Sequence, residues 1–204
     1  MGLYSQFIFP RLLDLAMAGS TFSRYRQEIL ADTGGDVLEI GFGTGLNLPY
    51  YPNRVRKLVV VDPNPGMNAL AQKRIQATAT TVESHVLNGE VLPMADNTFD
   101  SVVSTWTLCS IADVEQALRE IHRVLKPEGQ FFFIEHGLSN EPDVQVWQNR
   151  LTPLQKVIAD GCHLNRNMQR LIENQFKLLK LDQFYMEEIP KVGGYMYRGI
   201  AAKV

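Results

Sequence analysis

Cysteine is scarce in this chain of 204 residues, with Cys109 and Cys162 the whole complement. Two cysteines far apart exclude a disulfide framework, and neither has the sequence neighbour that metal-ligand spacings require. They read as free thiols in a reducing, cytoplasmic setting. A basic excess is also missing. Lys and Arg number 20 against 22 Asp and Glu, a net charge of −2, which leaves no electrostatic footprint for nucleic acid. No apolar run is long enough to cross a bilayer. Pro10, Arg11 and Asp14 interrupt the N-terminal apolar stretch, so no signal-peptide pattern is expected there. Internal repeats, low-complexity tracts and linkers are absent too, and residues 1–204 read as a single domain with a full core.

What is there is organised around Val37-Leu38-Glu39-Ile40-Gly41-Phe42-Gly43-Thr44-Gly45. The short apolar run reads as a buried strand. Glycines at every second position then let the backbone turn tightly and approach a ligand without Cβ clashes. Asp62 lies 17 residues past Gly45, at the tip of a second apolar run, Leu58 to Val61. A carboxylate there can accept both hydroxyls of a ribose. The dinucleotide fingerprint G-x-G-x-x-G, which seats a pyrophosphate, is not met, since the spacing here is G-x-G-x-G with Glu39 before it. An acidic side chain beside the turn suits a cationic ligand that has a ribose and no phosphate. S-adenosylmethionine, with a sulfonium and an ammonium, is such a ligand.

Residues 1–32 read as a helical cap, with Phe7, Ile8, Leu12, Leu15 and Ala16 on one face and Phe22, Tyr25 and Ile29 on another. Pro10 should end or kink the first part. Three uses are open for the first face: covering a substrate site, packing in the core, or touching a membrane surface through Phe7, Ile8 and Phe9. Further strands are expected at 57–62, 81–87, 101–105, 130–134, 178–187 and 195–202, with helices at 66–77 and from a cap at Asp113 to Leu125. Residues 144–176 read as mixed helix, and a hairpin through Pro190 and Gly193-Gly194 joins the last two strands. Five strand–helix alternations before a hairpin predict an α/β, Rossmann-like sheet of seven strands. The expected order is 3-2-1-4-5-7-6 with strand 7 antiparallel and helices on both faces. The core then spans 33–136, and substrate-side helices and the hairpin occupy 137–204.

"VLEIGFGTG", "VVVDPNPGM", the loop Asn88 to Met94, "DNTFD" and "LKPEG" together resemble the motif set of class I S-adenosylmethionine-dependent methyltransferases, in the subgroup with ubiquinone/menaquinone-biosynthesis-type signatures. The likeness covers about residues 36–136, and strand order extends it to the C-terminus. It implies a donor site formed by Glu39, Gly41, Gly43, Gly45, Asp62 and Pro63, then Thr105 and Trp106 at the end of the fourth strand. Asn88 falls where the family commonly has an acidic residue for the adenine amino group. Its side-chain oxygen can accept the same bond, with Gly89 offering its N–H and Glu90 the alternative carboxylate. A narrower likeness also exists. Thr107-Leu108-Cys109-Ser110, Phe133-Ile134-Glu135-His136 and Asp160-Gly161-Cys162-His163-Leu164-Asn165-Arg166 resemble segments of the methyltransferase-like thiol S-methyltransferases of animals and their bacterial relatives. That family carries an extra hydrophobic N-terminal anchor; none is expected from the apolar pattern of this sequence, and membrane attachment is not implied.

Methyl transfer from a sulfonium is an in-line displacement from an activated donor, so the protein chiefly aligns the reactants and excludes water. A base matters only for an acceptor that arrives protonated, and no metal is required. His136, just past the fifth strand, is the candidate catalytic base; a hydrogen-bonded residue of the site wall is its other reading. Glu135, Cys109, His163, Asn165 and Arg166 are candidate substrate-side residues. Their plainer readings are a solvent-facing acid, a buried small hydrophobe and helix caps. Trp106 either stacks on adenine, walls the pocket or packs in the core. The expected partner is a small-molecule acceptor, a thiol or a quinone- or lipid-type compound, with S-adenosylhomocysteine as product. A non-catalytic donor-binding module is the rival of different class. A monomer or homodimer, cytoplasmic or peripheral to a membrane, fits either.

Overall fold

Phe131, Phe132, Phe133 and Ile134 are all buried, and they alternate between two cores. Phe131 and Phe133 join one apolar cluster, Phe132 and Ile134 the other. This period of two is that of a strand covered on both faces, and it describes the sheet as a whole. The structure is a computed structural model that describes residues 2–203. Helices α1 (Phe9–Met17) and α2 (Ser20–Leu30) precede the sheet. Then come β1 (Gly35–Ile40), β2 (Val55–Val61), α3 (Pro65–Ala77), β3 (Thr81–His85), β4 (Phe99–Thr105), α4 (Val114–Val124) and β5 (Leu125–His136). The chain closes with α5 (Pro142–Ile158), α6 (Met168–Glu173), β6 (Phe176–Tyr185), α7 (Lys191–Gly194) and β7 (Tyr195–Lys203).

The sheet order is β3-β2-β1-β4-β5-β7-β6, and β7 runs antiparallel to both its neighbours. Order and direction are those expected from the sequence. Strands β1 to β5 pair in parallel. The order reverses between β1 and β4, which opens a crevice at their C-terminal ends, the place where open α/β sheets hold ligands.

Local chemistry sets the helix starts. The Asp113 carboxylate accepts from the Gln116 N–H at 2.9 Å, and α4 then buries Val114, Ala117, Leu118, Ile121 and Val124. Asn64 caps α3 by accepting from Gly66, with Pro65 in the first turn. Three expectations are corrected. β5 begins at Leu125, because Leu125 pairs with Phe99 ahead of an irregularity before the Gln130–Ser101 pair. Phe176, expected in the helical region, opens β6. The β6–β7 connection holds one helical turn, α7, rather than a plain hairpin loop.

The N-terminal segment differs most. Tyr4–Ile8 winds into a π turn in which the Phe9 N–H reaches the Tyr4 carbonyl. Pro10, one residue on, has no N–H to bond back along the helix. Polar contacts dock this segment. Asn64 Nδ2 donates to the Ser5 carbonyl at 2.8 Å. The Asp14 carboxylate receives Arg74 at 2.9 Å and the Thr44 hydroxyl at 2.5 Å. The apolar face points outward: Phe7, Ile8 and Leu12 are half exposed and Leu15 is 80% exposed. Core packing, one of the three readings of that face, is thereby excluded.

Candidate active site

The crevice opens into one cavity of about 570 Å³, within the range of small-molecule sites. Gly41, Gly43, Asp62 and Pro63 form one wall, and Thr105, Trp106, Cys109 and His136 line it further along. Asn88, Gly89 and Glu90 close one side. Phe9, Leu13, Met17, Phe22 and Arg26 cover it from α1 and α2; the outward face of Phe7, Ile8, Leu12 and Leu15 does not.

The glycine turn is enforced by crowding. Gly41 has φ of 74°, and a Cβ there would stand 2.1 Å from the Thr107 side chain. Asp62 holds the turn from the next strand. Its Oδ2 accepts from the Gly43 N–H at 2.8 Å and its Oδ1 from the Asn64 N–H at 2.8 Å. Burial raises its carboxyl above the usual range, and those two N–H groups pull it back.

Glu39 does not line the cavity. It is 1% exposed, and its oxygens accept from Asn47 Nδ2 at 2.8 Å and the Tyr51 hydroxyl at 2.7 Å. Burial pushes its carboxyl up to about 7. It acts one residue back, by orienting Asn47, which does line the cavity. Gly45, with φ of 79°, likewise shapes the turn from below, against Phe42 and Leu48.

The substrate-side candidates are rearranged as well. Glu135 is fully buried and accepts from the Ser104 hydroxyl at 2.7 Å and the Thr107 N–H at 3.0 Å. It pins the loop after β4 and does not face solvent. The His163 N–H donates to the Cys109 carbonyl at 2.9 Å, and Arg166 Nη1 donates to the Leu108 carbonyl. Both tie the 160–166 segment to that same loop. Asn165 Nδ2 turns outward to Asn149 at 2.8 Å. None of these four lines the cavity: Glu135, His163 and Arg166 bond to the wall from behind, and Asn165 faces away from it.

Cys109 and His136 do line it, and Cys162 joins them. His136 Nε2 stands 2.9 Å from Cys162 Sγ, and the two sulfurs are 3.8 Å apart. His136 is thus hydrogen-bonded within the site wall. Burial lowers its pKa, but the Cys162 contact and the nearby Glu135 together outweigh it and the net shift is upward. Hydrogen bonding to Cys109, together with burial, pushes the Cys162 thiol well up.

Two polar residues of the cavity, Arg26 and Asn47, were not singled out from the sequence. Arg26 is 3% exposed with its Nε unpaired, and its guanidinium lies 5.1 Å from the Trp106 ring. Burial lowers its pKa to about 10. Its signal was a lone cation four residues after Phe22 on a buried helix face. Asn47 Oδ1 and Trp106 Nε1 are buried with no partner among the described residues. Trp106 also has φ of 50°, a strained value that tends to mark functional positions.

Residues 38–133 match a family model described as a methyltransferase domain. The rat protein thiol S-methyltransferase TMT1B is 39% identical over 153 residues, which cover 72% of this chain and 62% of that protein. The chain therefore spans about three-fifths of that relative's length. A demethylmenaquinone methyltransferase of Symbiobacterium thermophilum is 30% identical over 60% of this chain and 53% of its own. Among solved structures, a Thermotoga maritima protein titled a SAM-dependent methyltransferase, possible histamine N-methyltransferase, superposes with a TM-score of 0.69. It is 20% identical, over 98% of each chain, a likeness of fold.

Proposed function

This chain belongs to the class I S-adenosylmethionine-dependent methyltransferases, and we propose that it transfers the donor's methyl group to a small-molecule acceptor, a thiol. One observation carries the reading. A single cavity joins the Gly41–Asp62 wall to a wall of Cys109, His136 and Cys162.

The first wall fits S-adenosylmethionine. Asp62 keeps lone pairs for two ribose hydroxyls after accepting its two backbone bonds. A Cβ at Gly43 would meet open space, so the backbone there is bare to the cavity. Asn47 Oδ1 and Trp106 Nε1 lack partners and await polar groups of a ligand. Asn88 and the Gly89 N–H line the cavity and are the groups offered to the adenine edge, while Glu90 Oε1 already accepts from the Asp113 N–H at 2.9 Å. Arg26 suits the donor's carboxylate, and Glu39 behind Asn47 balances its cationic groups. When bound, the donor supplies a methyl group already activated on sulfur. The chain's own residues hold it, align the acceptor and keep water out under α1 and α2. On the acceptor wall, His136 Nε2 faces sulfur, so it can hold a proton or a cation opposite a thiolate.

The test is turnover of labelled donor by purified protein against thiols, phenols, amines and lipids. Thiol methylation with release of S-adenosylhomocysteine is expected. Clean activity on a phenol or quinone precursor without thiol turnover rejects the thiol. Donor binding without any turnover leaves a non-catalytic binding module.

A second reading, a lipophilic acceptor met at a membrane surface, is favoured by the outward apolar face. The Tyr4 hydroxyl donates to the Ile158 carbonyl at 2.9 Å, which joins that face to the exposed Leu154, Val157 and Ile158 at the end of α5. No helix among the described residues is long and apolar enough to cross a membrane, so contact would be peripheral. Cosedimentation with anionic vesicles, lost in a Phe7→Glu/Leu15→Glu double variant, is the expected result. Vesicle binding that the double variant retains excludes this face.

A further inference from the structure

We propose that Cys109, His136 and Cys162 bind one thiophilic divalent cation of the zinc class, with an open coordination position toward the cavity. The three residues come from the loop after β4, the end of β5 and the loop after α5. All three are buried in their surroundings, and their ligand atoms lie within 4.8 Å of one another. No other group of this kind occurs among the described residues.

The geometry is close to what such an ion needs. Two thiolates on tetrahedral zinc, each at about 2.3 Å, stand about 3.8 Å apart; here the sulfurs are 3.8 Å apart. An imidazole nitrogen and a thiolate on the same ion stand about 3.6 Å apart, against 2.9 Å for His136 Nε2 and Cys162 Sγ. The ring must therefore swing away from Cys162 by about 0.7 Å and toward Cys109, whose sulfur lies within 4.8 Å of it. His136 Nδ1 has no partner among the described residues, so the swing breaks no second hydrogen bond. Two sulfurs and an imidazole are donors that zinc favours. Three protein ligands with one position left for a small molecule is the arrangement of catalytic zinc, where structural sites are closed by four.

Charge supports the assignment. The cation displaces the two thiol protons to solvent, two thiolates and a divalent cation then sum to neutrality, and the half-buried Arg166 interacts electrostatically with both cysteines. An anionic fourth ligand is then offset by that guanidinium. A disulfide is the rival use of the pair, but it would need the sulfurs to close to about 2.05 Å.

The role of the ion rests on the thiol reading given above. An acceptor thiol that enters the open position forms a sulfur–metal bond and releases its proton to solvent, with no change of oxidation state. The acceptor is then a thiolate near neutral pH without a strong base on the protein.

The experiment titrates the reduced, chelator-treated protein with cobalt(II) under anaerobic conditions. Thiolate-to-cobalt charge transfer and tetrahedral ligand-field bands should saturate at about one ion per chain and be displaced by zinc. Cys109→Ser and Cys162→Ser should each weaken uptake by more than ~100-fold. Affinity for S-adenosylhomocysteine, measured on the same samples, shows that each variant is folded. Should a variant fail to fold, zinc protection of both wild-type thiols from iodoacetamide, mapped by peptide mass, decides the matter. Wild-type protein without tetrahedral cobalt bands, or thiols that zinc does not protect, overturns the site. Metal uptake without thiol turnover upholds the site and rejects the thiol reading. Equal thiol turnover by stripped and zinc-loaded enzyme overturns the ion's role.

Discussion

Replacing Glu39 by Gln should make the protein more stable above neutral pH while weakening its hold on the donor. Glu39 ends in the core, 1% exposed, with its oxygens on Asn47 and Tyr51. Burial raises its carboxyl from an ordinary 4.5 to about 7, against the pull of those two hydrogen bonds. Between these values the folded protein keeps a proton that the unfolded chain has released. The stability this group contributes is therefore full below about 4.5 and lost as pH rises through about 7. The interval is worth on the order of 3 kcal/mol. Glutamine reproduces the neutral carboxyl at every pH, with an oxygen that accepts from one partner and an amide that donates to the other once it turns. Urea unfolding at pH 5 should give wild type and variant within about 1 kcal/mol of each other; at pH 8.5 the variant should be ahead by on the order of 2–3 kcal/mol. Affinity should move the other way. A cationic donor favours the ionised carboxylate behind Asn47, so calorimetry with S-adenosylmethionine at pH 8 should show binding weaker by about 1–2 kcal/mol in the variant. A variant less stable than wild type at pH 8.5 would mean that Glu39 is a well-paired ion, and the reasoning would fail.

Asp62→Ala removes the acceptor of the Gly43 and Asn64 N–H groups as well as the proposed ribose contact. Affinity for S-adenosylhomocysteine should drop by about 2–4 kcal/mol; unchanged calorimetric affinity would take Asp62 out of the donor site. Asp14→Ala cuts the N-terminal cap loose from Thr44 and Arg74. Protease cleavage within residues 2–30 should speed up and stability fall by about 1 kcal/mol; an unchanged cleavage pattern would mean that other contacts hold the cap.

The sequence by itself determined the sheet. Strand and helix periods are local, so the alternation through Phe131 to Ile134, the cap at Asp113 and the glycine turn after Ile40 could each be read from a few neighbouring residues. The wall at Gly41, Gly43 and Asp62 followed, because that turn and strand tip stand side by side in a parallel β1–β2 pair. The rest required the tertiary structure. An amphipathic pattern names two helix faces but not which one is covered, and Asp14 and Ser5 docked the polar face of the N-terminal segment, leaving Leu15 outside. Spacing suggested that Glu39 would face the ligand, yet strand alternation turned it inward onto Tyr51, one residue behind the cavity. Cys162 lies 26 residues from His136 and 53 from Cys109. No sequence spacing announces such a group. Only the return of the chain across the sheet, through α5 and the loop beyond it, brings two soft sulfurs and an imidazole onto one wall.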